Sequence, residues 1–308
     1  MNTYIAVRKS QAHLYFKTPL YIKNSSADYV LYKGENERID AARFAAEQFP
    51  QLFTPARMHD FAQKELYSRL NEGLVTRIRK GDLKAAKQIL CTIVQEAMGD
   101  LREDNFDRFP ETIEIMYSEY AGTGTVLKNF IDIHYGGSSL VEHSVNVMVL
   151  TLNYCLFCDF SESDVKRLSL AALLHDVGLT RLPQKILEIE RKLTDEEFEV
   201  FKTHALIGHN IVKDNMQTDA AVAIGIHEHH ERLDGGGYPR GNSDISFDGR
   251  LIGLIDSFES LINSEKIHRQ KREPFDALKK IQDEVLAEGK FDKKIYRDLC
   301  LSLSGKQV

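Results

Sequence analysis

Five histidines and two aspartates in the second half of the chain have the types and spacing to do chemistry: His143, His175, Asp176, His204, His229, His230 and Asp256. After Asp176 each group follows the last by about 25 to 30 residues, one helix and one connection. That rhythm lets successive helices of a bundle each send one or two ligands inward. Imidazole and carboxylate together suit iron, manganese or zinc, with no thiolate required. Two metals a few ångströms apart are a common device for phosphoester hydrolysis. A single helical histidine is more often a core or surface residue, but eight of the 11 histidines lie between His134 and His230. His175 and Asp176 close the strongly apolar stretch LSLAALLHDVG. Burying them unpaired would cost several kcal/mol, and a metal is the simplest remedy.

The elements that must position these residues read as helix after helix from about Glu111 onward. Gly136-Gly137-Ser138-Ser139 precedes the helix of His143, and Gly178 is placed to stop the helix of His175. Thr194 and Glu197 form a capping-box pattern that starts the helix expected to carry His204. LDGGGYP is a glycine loop closed by Pro239, with helices resuming near Gly249. The first forty residues differ. HLYFKTPLYIK and DYVLYKG, rich in tyrosine and β-branched residues, flank the turn-like Asn24 to Ala27 and predict a hairpin or small sheet. Helical spacing follows over Ala41–Phe49, Met58–Leu70 and LKAAKQILCTIVQEAMG, the last capped at Gly81-Asp82. Pro110 breaks a charged stretch, and the domain boundary is set near residue 115.

The chain has 308 residues, a length that favours two domains. Its 40 basic and 46 acidic residues give a net charge of −6, which disfavours a nucleic-acid polymer as partner. A small phosphorylated ligand remains compatible, because bound metals would supply positive charge locally. No run of 18 apolar residues predicts a membrane span, and the polar start MNTYIAVRKS lacks a signal core. Cys91, Cys155, Cys158 and Cys300 are too few for a disulfide framework and fit a reducing cytoplasm. Cys155 and Cys158 form a lone CxxC in an apolar helix, read as core. His209 and His227 are read as peripheral, and Glu231 as orienting a ligand imidazole.

The string HDVG, followed by HHERLDGGGYP, resembles the HD-GYP subgroup of the HD superfamily, helical metal-dependent phosphohydrolases that open cyclic di-GMP. The resemblance runs from about Leu140 to about Ile262 and includes the connecting LPQKILEIERKLTDEEFEVFKTHALIGHNIV. It implies that His143 and His175 ligate metal, that Asp176 bridges two metals as the central catalytic residue, and that His204, His229 and His230 complete the shells. Asp256, in RLIGLIDSF, would close the site. The loop from Asp234 to Pro239 would face the dinucleotide with Gly237 and Tyr238. A hydroxide held between the metals would attack phosphorus in line. Nitrogen and oxygen ligands with room for five or six of them place iron first and manganese second.

The departures narrow this expectation. Ser139 stands where many members have a glutamate supporting a third metal, so two metals are expected. Leu179 replaces the family's lysine and can neither protonate a leaving group nor hold a phosphate; losing a general acid typically costs about 10² to 10⁴-fold. Glu265, Lys266 and Ile267 stand where an Arg-Pro-Tyr segment is usual. Lys266 is the candidate phosphate contact, with His268, Arg269 and Arg272 nearby.

The expected protein is mainly α, with an HD-type helical bundle over 116–308 holding two divalent metals. A small mixed α/β domain over 1–115, of regulatory or dimerisation role toward a second copy or a protein partner, precedes it. The expected activity is a cytoplasmic phosphodiesterase that opens cyclic di-GMP to pGpG or GMP. The alternatives are a module that binds a cyclic dinucleotide or partner without turnover, and a phosphohydrolase acting on another nucleotide.

Overall fold

A computed structural model describes residues 3–39, 49–99, 108–121, 130, 139–216, 219–263 and 271–304. The expected helix over 41–49 lies almost wholly outside them, as do His134, the glycines before Ser139, Glu265, Lys266, Ile267, His268 and Arg269. The chain divides into two compact units, Met1–Thr76 and Arg77–Val308.

In the first unit, strands β1 (Tyr4–Val7), β2 (Leu20–Lys23), β3 (Tyr29–Lys33) and β4 (Leu52–Pro55) form an antiparallel sheet in the order β1-β4-β2-β3. The β2–β3 hairpin is the expected one. Its turn is closed by the Asn24 carboxamide oxygen, which accepts the N–H groups of Ser26 and Asp28, while Ala27 takes a positive φ of 65°. Tyr4 stacks on Tyr29 at 3.9 Å and Phe53 meets Tyr29 edge-on, so the tyrosines are largely a packed sheet face. Two charges, buried Lys33 and part-buried Glu65, fix the segment before β2. The Lys33 ammonium donates to the carbonyls of Tyr15, Phe16 and Thr18, and the Glu65 carboxylate accepts the N–H groups of Phe16, Lys17 and Thr18 and the Thr18 hydroxyl. Glu65 lies on α1 (His59–Arg79), the long helix within which the two units divide.

The second unit is helical: α2 (Leu83–Gly99), α3 (Phe109–Tyr120), α4 (Ser139–Phe157), α5 (Glu162–Leu174), a 3-10 turn (Val177–Arg181), α6 (Gln184–Leu187), α7 (Asp195–Lys202), α8 (His204–Asn215), α9 (Ala220–Glu228), α10 (Phe247–Asn263), α11 (Pro274–Leu286) and α12 (Lys293–Ser304). α4, α5, α9 and α10 pack on one another to make the core, and α8 packs on α9 and on the 3-10 turn. α2 lies on α4 and α3 on α5. Helix α2, assigned on sequence to the N-terminal side of residue 115, therefore packs with the C-terminal bundle, as does α3, which straddles that position. Lys87 of α2, fully buried, pairs with Glu142 of α4 at 3.2 Å.

Local signals explain several boundaries. Asp82 caps α2 through the Ala85 N–H, and Pro110 opens α3 rather than breaking it, where a missing N–H costs nothing. The Thr194–Glu197 capping box is complete. The helix it starts stops at Lys202, before His204. Thr203 turns its N–H and hydroxyl back to the Val200 carbonyl, so α8 begins afresh. Although the chain lacks an unbroken apolar run, Leu140–Phe157 has a mean hydropathy of 1.3, long and apolar enough to cross a membrane; 72% of it is buried in the bundle, as suits a core helix.

Candidate metal centre

The seven residues picked out by spacing converge. His143 comes from the first turns of α4, His175 caps the end of α5, and Asp176 starts the 3-10 turn. His204 opens α8, His229 and His230 follow α9, and Asp256 lies mid-way along α10. His175, His204 and His229 are wholly buried. Their donor atoms form two groups, each within 4.8 Å: His143, His175 and Asp256, and Asp176, His204, His229 and His230. Asp176 lies between them. Its Oδ2 is 3.7 Å from His143 Nε2 and 3.5 Å from His175 Nε2, and its Oδ1 is 3.3 Å from His204 Nε2 and 3.8 Å from His229 Nε2.

The hydrogen bonds fix the imidazole tautomers. Nδ1 of His175, His204 and His229 each lies 2.6–2.8 Å from the carbonyl oxygen three residues earlier, in Ala172, Phe201 and Ile226. A carbonyl only accepts, so each Nδ1 carries the proton and each Nε2 presents a lone pair. Two of those lone pairs face each other, with His204 Nε2 and His229 Nε2 3.4 Å apart, while the third, on His175 Nε2, lies 3.1 Å from His143 Nε2. Buried acceptors facing acceptors are repulsive until a cation sits between them. The donor set therefore fits divalent metal.

The electrostatics differ between the two groups. Burial opposes charge on His143, yet Glu259 and Asp256 raise its imidazole well above the ordinary value. Burial and the neighbouring His175 and His204 push the His229 imidazole down to about 3, leaving it neutral as a ligand must be. Burial opposes charge on Asp176, yet the surrounding imidazoles hold its carboxyl well below the usual range.

One partner of the site was missed from sequence. Glu259, 1% exposed, accepts the His143 Nδ1–H at 2.5 Å. It stands one helical turn after Asp256, so the i, i+3 spacing on α10 was the available signal. Glu231, expected to orient an imidazole, instead holds the loop after the double histidine: its carboxylate accepts the backbone N–H groups of Arg240 and Asn242. Buried Glu228 accepts the Arg240 guanidinium and the Ser246 N–H. His209 and His227 face each other, ring centroids 5.3 Å apart, outside both donor groups. Leu179 is buried.

Two glycines are required by close approach. Gly178 has no positive φ, so it does not act as a left-handed helix stop; a Cβ there would lie 2.0 Å from the His204 carbonyl oxygen. The glycine lets the turn after Asp176 lie directly on α8. At Gly237 a Cβ would lie 2.4 Å from the His230 carbonyl oxygen, and the next residue's N–H donates to that same oxygen. This seats Tyr238 with its ring 4.5 Å from His230. Phe198 meets Tyr238 edge-on at 5.6 Å and stacks beside Phe201, whose ring is 5.0 Å from His204. The site thus has an aromatic rim, with Phe198 40% exposed.

A model of the HD domain family matches residues 125–295, more than half of the chain. The chain belongs to the HD domain family. The HDVG string and the glycine-tyrosine-proline loop place it with the HD-GYP members of that family. It is 28% identical over 166 residues to the cyclic di-GMP phosphodiesterase PdeB of Borreliella burgdorferi, covering 53% of this chain and 43% of that protein. It is 38% identical over 109 residues to a cyclic di-GMP phosphodiesterase of Thermotoga maritima, covering 33% of this chain and 29% of that protein. The match thus spans less than half the length of these two relatives. The fold is that of Bd1817, a HDG"Y"P protein from Bdellovibrio bacteriovorus, with a TM-score of 0.60 at 17% identity over 96% of this chain and 98% of that one.

Proposed function

We propose that this HD-GYP protein is a metal-dependent phosphodiesterase that opens cyclic di-GMP to pGpG or GMP at a dinuclear centre. The observation that carries the reading is the placement of Asp176, one oxygen toward His143 and His175 and the other toward His204 and His229. His143, His175 and Asp256 would hold one cation, His204, His229 and His230 the other, with Asp176 shared. When bound, the pair of cations supplies a water-derived nucleophile at neutral pH and neutralises charge developing on the phosphoryl oxygens. Iron is favoured over manganese by the nitrogen-oxygen donor set.

The chain's own groups do the rest. Carbonyl-tied Nδ1 protons on His175, His204 and His229 keep each Nε2 free to ligate. The Glu228 and Glu231 clamp fixes the loop that carries Gly237 and Tyr238, so the aromatic rim is preformed to receive a base. Lys266 is assigned to a phosphate. The N-terminal domain is assigned a regulatory or dimerisation role, which the exposed Val30 and Leu31 on edge strand β3 support.

Leu179 supports a second reading. A buried leucine at this position supplies no proton to the leaving oxygen, and a module that binds a cyclic dinucleotide with little turnover would need none. The two readings separate in one assay. Protein loaded anaerobically with Fe(II), or with Mn(II), is incubated with cyclic di-GMP and the products are resolved by chromatography. Formation of pGpG or GMP, lost in Asp176→Ala, supports the enzyme. No product from protein holding two metals per chain overturns it in favour of binding or another phosphoester.

A further inference from the structure

The two donor groups are supported differently. His175, His204 and His229 lean on backbone carbonyls, which are neutral and fixed by helix geometry. His143 alone among these four leans on a carboxylate. Glu259 Oε2 accepts its Nδ1–H at 2.5 Å, while Oε1 accepts the side-chain N–H groups of Asn146 at 2.7 Å and Asn263 at 3.0 Å. Three donors point at one buried side chain. An ionised carboxylate accepts on both oxygens, which an amide cannot do, so the pocket is built for a charged group.

A carboxylate behind an imidazole raises the basicity of the ligating nitrogen and fixes its tautomer more firmly than a carbonyl does. The group of His143, His175 and Asp256 also contains a carboxylate of its own. With Glu259 behind it, this side of the centre gathers two carboxylates besides the shared Asp176. The group of His204, His229 and His230 contains only Asp176, with Asp256 Oδ2 standing 3.9 Å from His230 Nδ1.

We infer that the two metal positions are unequal, and that Glu259 is the positioning residue that makes the His143 position the tighter one. Metal fills the His143 side first, and the His204 side takes the second, more exchangeable ion. Glu259 itself touches neither substrate nor metal; it acts through His143. The inference rests on the dinuclear reading given above.

The test is a manganese titration of the full chain, stripped of metal, followed by calorimetry and by the electron paramagnetic resonance signal of free Mn(II). Wild-type protein is expected to bind two ions in distinguishable classes. Glu259→Gln is expected to weaken the tighter class by about 10- to 100-fold and leave the weaker class within about threefold. Retention of that second class shows that the variant is folded. Should Glu259→Gln fail to fold, Asn263→Ala loosens the carboxylate without removing it, and a smaller loss confined to the tighter class is expected. Two equivalent sites in the wild type, or unchanged affinity in the variant that folds, would overturn the inference. Wild-type protein that binds fewer than two ions would instead overturn the dinuclear reading itself.

Discussion

The backbone of Gly178 lies directly on the carbonyl of His204, so closely that a Cβ at Gly178 would stand 2.0 Å from that oxygen and 2.7 Å from the Gly208 nitrogen. Both obstacles are backbone atoms of α8, which no side-chain rotation relieves. Gly178→Ala must therefore lift the 3-10 turn from α8 and carry Asp176 away from His204. Urea denaturation is expected to show a loss of about 3 kcal/mol. Stability within about 0.5 kcal/mol of wild type would show that the contact is not tight in solution.

Metal removal leaves the facing lone pairs of His204 and His229, 3.4 Å apart, with no cation between them. Saturation at about 1,000 times the dissociation constant adds roughly 4 kcal/mol of stability, a rise in Tm of about 10 °C. Differential scanning fluorimetry with and without Mn(II) after chelation measures it. In Asp176→Ala the rise is expected to shrink to less than half.

Tyr238 and Phe198 form the rim beside His230. Stacking of a base on an aromatic side chain contributes about 1–3 kcal/mol, so Tyr238→Ala is expected to raise KM for cyclic di-GMP roughly tenfold or more. Tyr238→Phe keeps the ring and is expected to stay within about threefold. Equal losses in both variants would assign the effect to the hydroxyl instead.

Glu65 makes the sheet unit sensitive to acid. Burial opposes its charge, but the N–H groups of Lys17, Phe16 and Thr18 and the Thr18 hydroxyl prevail and hold the carboxyl below its ordinary value of 4.5. A group whose folded pKa is lowered contributes stability above the unfolded value and loses it as pH falls through the folded one. Glu65→Gln is expected to cost about 2 kcal/mol at pH 7, with the gap to wild type closing below about pH 4. Chemical denaturation at several pH values follows it, and a gap that widened toward acid would contradict the assignment.

Much of the centre was legible because the candidate ligands recur at intervals of about one helix and one connection, and the HDVG and GYP strings mark two of those groups. Local rules also sufficed for the Asn24 turn, α2 and the Thr194 capping box. They failed where a partner is distant in sequence. β1 and β4 pair across the whole first unit, with Tyr4 opposite Pro55, and each is only four residues long. Gly178 was read as a helix stop because its true obstacle, the His204 carbonyl, belongs to another helix. Glu231 was taken for an imidazole partner because both lie near the double histidine; in space its acceptors face Arg240 and Asn242. Glu259 was legible only through its spacing from Asp256, since its contact with His143 spans 116 positions.

The ion pair of buried Lys87 with Glu142 bears on how this protein can be taken apart and recombined. A fragment trimmed to the family match at 125–295 would retain Glu142, one position before His143, while discarding its ammonium partner. Such a cut also uncovers the face of α4 on which α2 packs, exposing apolar surface at a cost of about 25 cal/mol per Å². The exchangeable unit is therefore larger than the recognisable one. Any chimera that grafts this centre onto another domain must carry α2 with it, and the natural joint for such a graft lies upstream of Leu83.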